Sequence, residues 1–238
     1  MQAIAVIGGP GSGKTTVSAA LTAGFRSLGQ EVALVRTGDQ SRGGSQLTAV
    51  AEVGPDRTLL TYDRALSLRE LARLLPQEVL ILEGAEEACC PAILCVSSGQ
   101  ELENMGRLDD RILAISGLYA RTKTGEYQGR PIVDAMMQSE KLLQFVRNRP
   151  CPLLPDFEPK CCPACGHSCR DLAGLIAQGQ AQPTDCCLSH QNVELLVDGE
   201  ALPMVPFVQA LLRNAVLAVA SELEGVKEHC DISVSFRR

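Results

Sequence analysis

The chain has 238 residues, of which 45% are hydrophobic and 21% are charged, a composition that indicates a globular protein and excludes a disordered chain. This length suits one large domain, or one domain of about 150 residues with a smaller addition. The net charge of −6 leaves no basic field for duplex nucleic acid, so we expect no nucleic-acid partner.

The sequence also argues against a membrane protein, because it contains no run of about 20 apolar residues and we therefore expect no membrane span. Its beginning, MQAIAVIGG, lacks a basic stretch followed by a cleavage site and has the pattern of a first strand. We therefore expect a cytoplasmic protein. In that compartment the eleven cysteines stay reduced, and clustered cysteines are more often metal ligands than disulfides.

Predicted strands and helices alternate through the first part of the chain. The strands are predicted at QAIAVI (2–7), EVALVRTGD (31–39), EVLILEG (78–84), AILCVSS (92–98) and RILAISG (111–117). The helices are predicted from the end of the first loop to Gly29, over 64–76, and from Ile132 to Val146 with Pro131 at the first turn. Buried strands that alternate with helices across short connections predict an α/β fold with a mostly parallel, doubly wound sheet.

Composition changes after residue 148, where RNRPCPLLPDFEPKCCP contains five prolines and reads as a domain boundary. We expect a first, nucleotide-binding domain over 1–148, a cysteine-rich segment over 149–190 and a carboxyl-terminal α+β unit over 191–238. In the last unit, VELLVDGEALPM predicts a hairpin through Asp198-Gly199, residues 206–223 predict an amphipathic helix, and DISVSF predicts a short strand.

The loop after the first strand, GGPGSGKT, matches the P-loop pattern and lies between a predicted strand and a predicted helix, as nucleotide binding requires. Its backbone amides and the following helix N-terminus would surround a β-phosphate. Lys14 would neutralise phosphate oxygens, and the Thr15 hydroxyl would bind Mg²⁺. The predicted nucleotide-binding residues are Gly8, Gly9, Pro10, Gly11, Ser12, Gly13, Lys14, Thr15 and Thr16.

A P-loop site also needs an acidic residue at the end of a neighbouring buried strand, close to the magnesium ion. Glu83 follows four apolar residues and is the predicted magnesium ligand beside Thr15, while Asp39 is a second candidate that would position water or magnesium. The candidate catalytic residues are therefore Lys14, Thr15, Asp39 and Glu83. The sequence has no N-K-x-D motif, so GTP and ATP both remain open.

The loop GGPGSGKTT and the strand end LILEG resemble the MobB family, the molybdopterin-guanine dinucleotide biosynthesis adaptor proteins, over the first predicted domain. The resemblance implies a GTP-binding P-loop fold, a homodimer and a weak hydrolase that assists molybdenum-cofactor assembly with a protein partner. The chain differs from this family at RTGD, where bacterial members usually have a His-rich segment, and in its cysteine-rich continuation.

Four cysteines in the cysteine-rich segment have the spacing of a metal site, Cys162-x2-Cys165-x3-Cys169-x16-Cys186. Four soft ligands suit either an iron–sulfur cluster or tetrahedral zinc, and unmetallated thiols are a third reading. The stretch LAGLIAQG predicts a short amphipathic helix that would return Cys186 to the other three.

The segment is also similar to the small 4Fe-4S domain of corrinoid iron–sulfur protein large subunits and of Rnf-type electron-transfer subunits. It has one residue fewer between the second and third cysteines than many members, and Cys161 and Cys187 are adjacent alternatives at its ends. The resemblance implies a 4Fe-4S cluster rather than zinc. The matching residues are Cys162, Cys165, Gly166, Cys169, Ala173, Ile176, Gly179 and Cys186.

Together these features favour a P-loop NTPase with an iron–sulfur site that assists the assembly or insertion of a metal cofactor, most simply the molybdenum cofactor. One alternative is an electron-transfer protein gated by nucleotide, and another is a non-catalytic adaptor with a structural zinc site. Outside the motif, Cys95 is expected in the core. For Cys89 and Cys90, a pair of loop thiols is favoured over a second metal or sulfur role.

Overall fold

A computed structural model describes residues 1–37, 49–53, 58–62, 64–75, 77–156, 165–186, 193, 195–197, 200–202, 204, 206–223, 232 and 234. The strands in these ranges are β1 Gln2–Ile7, β2 Val32–Arg36, β3 Ala49–Val53, β4 Thr58–Tyr62, β5 Val79–Glu83, β6 Ala92–Cys95, β7 Ile112–Ser116, β8 Gly125–Tyr127, β9 Arg130–Ile132, β10 Leu195–Val197 and β11 Glu200–Leu202. The helices are α1 Lys14–Ser27, α2 Leu68–Leu74, α3 Gly99–Asn104, α4 Ser139–Arg147, α5 Cys169–Gln178 and α6 Pro206–Ala220.

Seven strands form the central sheet, in the order β2-β5-β1-β6-β7-β9-β8. All neighbouring pairs are parallel except β8 and β9, which are antiparallel at one edge. The predicted α/β fold with a mostly parallel, doubly wound sheet is therefore confirmed. In such a sheet ligands bind beyond the carboxyl ends of the strands, and β1, β5, β6 and β7 all end at one such edge.

The core lies on both faces of this sheet, since the strands are apolar on both sides. On one face α1 and α4 pack together through Val17, Leu21, Phe25, Leu142 and Val146. The other face is covered in part by apolar residues of α2 and α3. On the buried strand β5, residues 79–82 are apolar, and the polar residue Glu83 lies at the carboxyl end.

The predicted helix from Ile132 to Val146 is wrong in its first half. Ile132 ends β9 of the hairpin β8–β9, residues 133–138 form a loop and turn, and α4 begins only at Ser139. The turn between the strands consists of Gln128 and Gly129, with φ of 49° and 72°. Two successive positive φ angles are the signature of a tight hairpin turn, which places Pro131 in β9, between β7 and the edge strand β8, rather than at a helix start.

Two other predicted elements are shorter than expected for identifiable reasons. The helix predicted over 64–76 begins at Leu68, because the Ser67 side chain and Glu70 form a capping box that fixes the helix start. The second strand ends at Arg36, and Asp39 lies outside the described residues. The structure adds α3 and the hairpin β3–β4, which the sequence analysis did not predict.

The carboxyl-terminal hairpin and helix agree with the prediction. Strands β10 and β11 pair antiparallel on either side of Asp198-Gly199, and α6 runs from Pro206 to Ala220. The predicted turn itself lies outside the described residues, as does most of the predicted strand DISVSF. The division of the chain into domains at 148 and 190 stays a prediction.

Candidate functional site

The predicted nucleotide loop lies between β1 and α1 at the carboxyl edge of the sheet. Residues 8–13 form the loop, and Lys14, Thr15 and Thr16 form the first turn of α1. Gly8 has a φ of 138°, and a Cβ atom there would collide with the carbonyl oxygen of Cys95. Only glycine fits this position, so the close approach of the loop to β6 depends on it.

Lys14 directs its ammonium group into the concave side of this loop. Its Nζ donates hydrogen bonds to the carbonyl oxygens of Gly8 and Gly9, each at 2.7 Å. The loop thereby holds a positive charge where its own backbone amides and the start of α1 already favour an anion. This arrangement can bind the phosphates of a nucleotide.

Thr15 and Glu83 meet across the site although 68 positions separate them in the chain. The Thr15 hydroxyl donates a hydrogen bond of 2.5 Å to Oε1 of Glu83, a carboxylate that is only 7% exposed at the end of β5. Arg36 holds the other carboxylate oxygen, with 3.3 Å between Nε and Oε2. A hydroxyl and a carboxylate side by side are oxygen ligands of the kind that Mg²⁺ takes.

The Ser12 side chain is a second sign of a ligand site in the loop. Its hydroxyl is buried and has no hydrogen-bond partner among the described residues. Its backbone carbonyl accepts a hydrogen bond of 3.0 Å from Leu118, in the segment after β7. A buried hydroxyl without a partner is unfavourable, so the residues present fit a phosphate oxygen that would complete it.

A narrow groove of about 10 Å³, room for a single water molecule, lies next to the loop. It is lined by Gly13, Thr16, Val17, Gly117, Leu118, Arg121, Asp134, Ala135 and Met136. Two of these side chains are charged, Arg121 and Asp134, and Oδ1 of Asp134 accepts a hydrogen bond of 2.9 Å from Met136 N. The Asp134 carboxylate is therefore a hydrogen-bond acceptor beside the loop.

Sequence reasoning missed one carboxylate beside the loop, that of Glu101 in α3. A Cβ atom built on Gly9 would lie 3.1 Å from its Oε1, while its Oε2 accepts hydrogen bonds from the Ser97 amide and hydroxyl at 2.7 and 2.6 Å. The sequence carried a sign of this helix in Ser98-x-x-Glu101, a capping pattern, and the Ser98 hydroxyl does cap α3.

Three of the four predicted metal-ligating cysteines lie in the described residues. Cys165 precedes α5, Cys169 is its first residue, and Cys186 follows the helix after a short turn, whereas Cys162 lies outside the described residues. Ser168 caps α5 by accepting a hydrogen bond from Asp171 N at 3.0 Å. The predicted short helix is present, and it turns the chain so that Cys186 packs with Cys165 and Cys169.

The thiols of this segment belong to one apolar cluster that also includes cysteines from elsewhere in the chain. Its members are Cys89, Cys151, Leu154, Leu172, Ala173, Ile176 and Cys186, with Cys165, Cys169 and Ala181 packed against them. Among the described residues, no three His, Cys, Asp or Glu side chains are grouped closely enough to hold one metal ion. The three described thiols of the predicted site, Cys165, Cys169 and Cys186, therefore do not form a metal site by themselves, and the 4Fe-4S cluster stays a prediction.

Burial determines the state of the cysteines that face the sheet. It raises the pKa of Cys90 and of Cys95 to about 12, so both thiols stay protonated and act as small apolar residues. Cys95 is fully buried in β6, as predicted. The pKa of Cys89 is also raised, first by burial, then by Asp156, whose carboxylate accepts a hydrogen bond from the thiol at 3.2 Å.

Two arginines attach α5 to the domain that carries the nucleotide loop. Arg111 is 1% exposed, and its guanidinium donates to the carbonyl oxygens of Glu86 and Ala88 and to the Asp109 carboxylate. Arg170, in α5, donates to the same Glu86 oxygen at 3.2 Å and also binds Asp109. The cysteine helix is therefore tied to residues 84–90, the connection that begins directly after Glu83.

The Asp109 carboxylate supplies the negative charge that balances Arg111 and Arg170 in this network. Burial alone would raise the pKa of Asp109, but hydrogen bonds from the Arg111 side chain and amide, together with the charges of Arg111 and Arg170, lower it below its ordinary value. The carboxylate therefore stays ionised and compensates the buried Arg111.

Within the described ranges, no helix is both long and apolar enough to cross a membrane. No known protein-family model matches the chain. A protein of Methanocaldococcus jannaschii is provisionally named a molybdopterin-guanine dinucleotide biosynthesis adapter protein. It is 24% identical over an alignment of 252 positions, which spans 98% of this chain and 97% of that protein. The alignment with this relative therefore includes the cysteine-rich part of the chain.

Solved structures of MobB proteins resemble the chain in fold. The crystal structure of a MobB protein homolog from Bacillus stearothermophilus matches with a TM-score of 0.50 and 21% identity, over 63% of this chain and 100% of that one. A structure of Bacillus subtilis MobB matches with a TM-score of 0.50 and 24% identity, over 60% of this chain and 97% of that one. The chain thus has a MobB-like α/β fold, and it extends beyond the part that these structures cover.

Proposed function

We propose that the chain is a nucleotide-binding adapter protein in molybdenum-cofactor biosynthesis. The observation that carries the proposal is the arrangement of Lys14, Thr15 and Glu83 around the loop between β1 and α1. Two further findings support it: the MobB-like fold, and the name of an archaeal relative that aligns over nearly the whole chain. The pathway is inferred from the relative's name, and nucleotide binding is inferred from the loop.

At the loop, the chain binds a nucleoside triphosphate together with Mg²⁺. The backbone amides of residues 8–13 and the ammonium group of Lys14 bind the phosphates, and the oxygens of Thr15 and Glu83 hold the metal ion. The acidic end of the groove at Asp134 favours GTP over ATP. The chain hydrolyses the bound nucleotide only weakly. It forms a homodimer, and a protein partner binds the nucleotide-bound form of this homodimer.

In the cysteine-rich segment, Cys162, Cys165, Cys169 and Cys186 hold a 4Fe-4S cluster. Support comes from the spacing of the cysteines and from the packing of the three described thiols around α5. When bound, such a cluster supplies one-electron chemistry or a site for docking, whereas zinc at the same residues would supply a structural link alone. Metal analysis of protein purified without oxygen separates the two, since zinc without iron would exclude the cluster.

A second candidate function, electron transfer gated by the nucleotide, is favoured by one contact network. The connection over residues 84–90 follows the proposed magnesium ligand Glu83 and contains the Glu86 carbonyl oxygen, which accepts a hydrogen bond from Arg170 of α5. In an electron-transfer protein, the reduction of a partner would require hydrolysis. In an adapter, a nonhydrolysable GTP analogue would support the same activity as GTP.

The test of the proposed function is genetic. In the organism that encodes the chain, deletion of the gene should lower the dinucleotide form of the molybdenum cofactor, measured as its fluorescent oxidation product. The wild-type gene and Lys141→Ala, a change at an exposed lysine of α4, should restore it, and Lys14→Ala should not. An unchanged dinucleotide content in the deletion strain would contradict the proposal.

A further inference from the structure

We propose that a cavity lined by Arg130 and Arg149 binds a small tetrahedral oxyanion, of the class to which phosphate, sulfate and molybdate belong. The cavity lies where β9, the chain directly after α4 and the end of α5 meet, and its wall also includes the amides of Asn148 and Gln178. None of its described lining residues belongs to the nucleotide loop. The inference goes beyond the proposed function and does not depend on it.

The first argument is the state of the Arg130 guanidinium group. The side chain is only 16% exposed, yet none of its N–H groups donates a hydrogen bond to the part of the chain that the structure describes, and its Nε is fully buried. A charged donor that is largely removed from water and has no hydrogen-bond partner is unfavourable. An anion that accepts hydrogen bonds from this group would therefore stabilise it.

The second argument is that the neighbouring carboxylate, Asp110, does not fill this role. Its Oδ1 lies 3.8 Å from Nη2 of Arg130, which is longer than a hydrogen bond. Its Oδ2 accepts a hydrogen bond of 3.2 Å from Arg107, and the Asp110 side chain is 57% exposed, so solvent screens its charge. One screened carboxylate is thus shared by two arginines, and Arg130 keeps its capacity to bind an anion.

The third argument is the second positive charge in the same cavity. Backbone carbonyl oxygens hold the Arg149 side chain in place, because its Nε donates to Ala177 O at 3.2 Å and its Nη1 donates to Asn148 O at 3.0 Å. Among the described residues that line the cavity, none is Asp or Glu. Two guanidinium groups on a wall without a carboxylate repel each other, and an anion bound between them would remove that repulsion.

The size of the cavity and the chemistry of its donors indicate the class of ligand. The volume is about 280 Å³, just below the range of roughly 300–1,000 Å³ that is usual for drug-sized ligands. Guanidinium groups present N–H donors in a planar fork that matches the oxygens of phosphate-like ions. An ion at this place would contact β9, the end of α4 and the end of α5 together, and would strengthen the attachment of α5 to the sheet.

Calorimetric titration of the full chain with phosphate, sulfate and molybdate tests the site. Because these ions could also bind at the nucleotide loop, each titration is repeated in Lys14→Ala. We expect at least one of the ions to bind saturably, with the same affinity in the wild type and in Lys14→Ala. Arg130→Gln should weaken this binding at least about tenfold, because it removes a charged hydrogen-bond donor.

Further variants separate binding from folding. Arg147→Gln, at an exposed arginine in the last turn of α4 that does not line the cavity, is the matched control and should bind as the wild type does. Arg149→Gln should weaken binding as Arg130→Gln does, and Arg130→Lys, which keeps the charge without the fork, should bind with intermediate affinity. Urea unfolding shows which variants are folded, and if Arg130→Gln is not, Arg149→Gln and Arg130→Lys provide the comparison.

Three results would overturn the proposal. The wild type could fail to bind any of the ions at millimolar concentration, or it could bind them with the same affinity as folded Arg130→Gln and Arg149→Gln. The third result is a loss of all binding in Lys14→Ala, which would assign the ion to the nucleotide loop. Each of them leaves nucleotide binding by the loop untouched, so the proposed function stands or fails separately.

Discussion

At the scale of single residues, the contact between Thr15 and Glu83 is the most specific feature of the nucleotide loop. Hydrogen bonds from the Thr15 hydroxyl at 2.5 Å and from Arg36 at 3.3 Å orient the two oxygens of this buried carboxylate at the loop. The pairing explains why the loop alone does not define the site. The acidic residue comes from a strand 68 positions away in the sequence, and the parallel register of β1 and β5 brings it alongside.

The change Glu83→Gln should weaken the effect of Mg²⁺ on nucleotide binding. The amide keeps the shape of the side chain but removes the negative charge, which corresponds to a loss of about 2 kcal/mol, or more than tenfold in affinity with Mg²⁺ present. Calorimetric titration with and without Mg²⁺ measures this. Glu103→Gln, at an exposed position of α3, is the control. An unaltered Mg²⁺ dependence in Glu83→Gln would remove Glu83 from the metal site.

Asp134→Asn should change the choice between GTP and ATP. If the Asp134 carboxylate accepts the N–H groups of a bound guanine, an amide would accept them less well, so GTP affinity should fall about tenfold with ATP affinity unchanged. Competition between the two nucleotides for a fluorescent analogue measures the ratio. Glu140→Gln, an exposed change in α4, should leave the ratio as it is. Equal losses for GTP and ATP would show that Asp134 does not read the base.

At the scale of elements, α5 depends on a charged network as much as on its apolar face. Leu172 and Ile176 are buried as the helical spacing predicts, but the attachments through Arg111, Arg170 and Asp109 connect residues far apart in the chain. No pattern in one sequence reveals such pairs, because each residue alone reads as a solvated charge. The nucleotide loop could be predicted from the sequence, because its phosphate-binding residues are consecutive in the chain.

Asp109→Asn should destabilise the protein by about 3 kcal/mol, because it leaves the buried Arg111 charge without its counter-charge. Asp110→Asn, at the neighbouring exposed carboxylate, should cost less than about 1 kcal/mol. Urea unfolding of both variants measures the difference. A similar loss in the two would mean that the network adds nothing beyond a surface ion pair.

The effect of Asp109 should also depend on pH. Its pKa in the folded protein is lower than the ordinary value of 3.8, so its stabilisation is fully present above that value and is lost as the pH falls through the lowered pKa. The gap in unfolding free energy between the wild type and Asp109→Asn should therefore shrink in acid. A gap that grows as the pH falls would contradict the assigned direction.

The elements also show where sequence reasoning failed. Pro131 was assigned to a helix start, whereas the Gln128-Gly129 turn places it in β9. Gln128 stabilises this turn through distant contacts: its side chain accepts from Leu108 N at 3.1 Å and donates to Gly106 O at 2.6 Å. Gln is not a typical hairpin residue, so the turn was not predicted by local composition.

At the scale of the whole molecule, the cysteine-rich segment packs on the sheet domain rather than standing apart from it. Gln178 donates to Asp110 O, Ala177 belongs to the core that α1 and α4 form, and Cys89 joins the cysteine cluster. The change of composition at the proline-rich stretch predicts a boundary, but it does not show which face of the sheet the segment would meet. That depends on contacts between residues far apart in the chain.

Removal of the metal should loosen one part of the molecule. The cysteine cluster is small, so with the proposed metal bound it would rely on bonds between thiolates and metal, whereas the sheet has its own large core. We expect amide exchange in Cys169–Gln178 to rise in metal-free protein and exchange in Val79–Glu83 to stay slow. Hydrogen–deuterium exchange with mass spectrometry measures both, and equal protection of α5 with and without metal would mean that the metal does not support it.

The central claim is that the loop between β1 and α1 binds a nucleoside triphosphate with Mg²⁺, and calorimetric titration of the purified protein tests it most directly. The account predicts saturable binding of Mg–GTP to the wild type and to Lys141→Ala. In Lys14→Ala the affinity should fall at least about tenfold, because a charged contact to the phosphates is lost. No binding of GTP or ATP to the wild type, or equal affinity in Lys14→Ala, would contradict it.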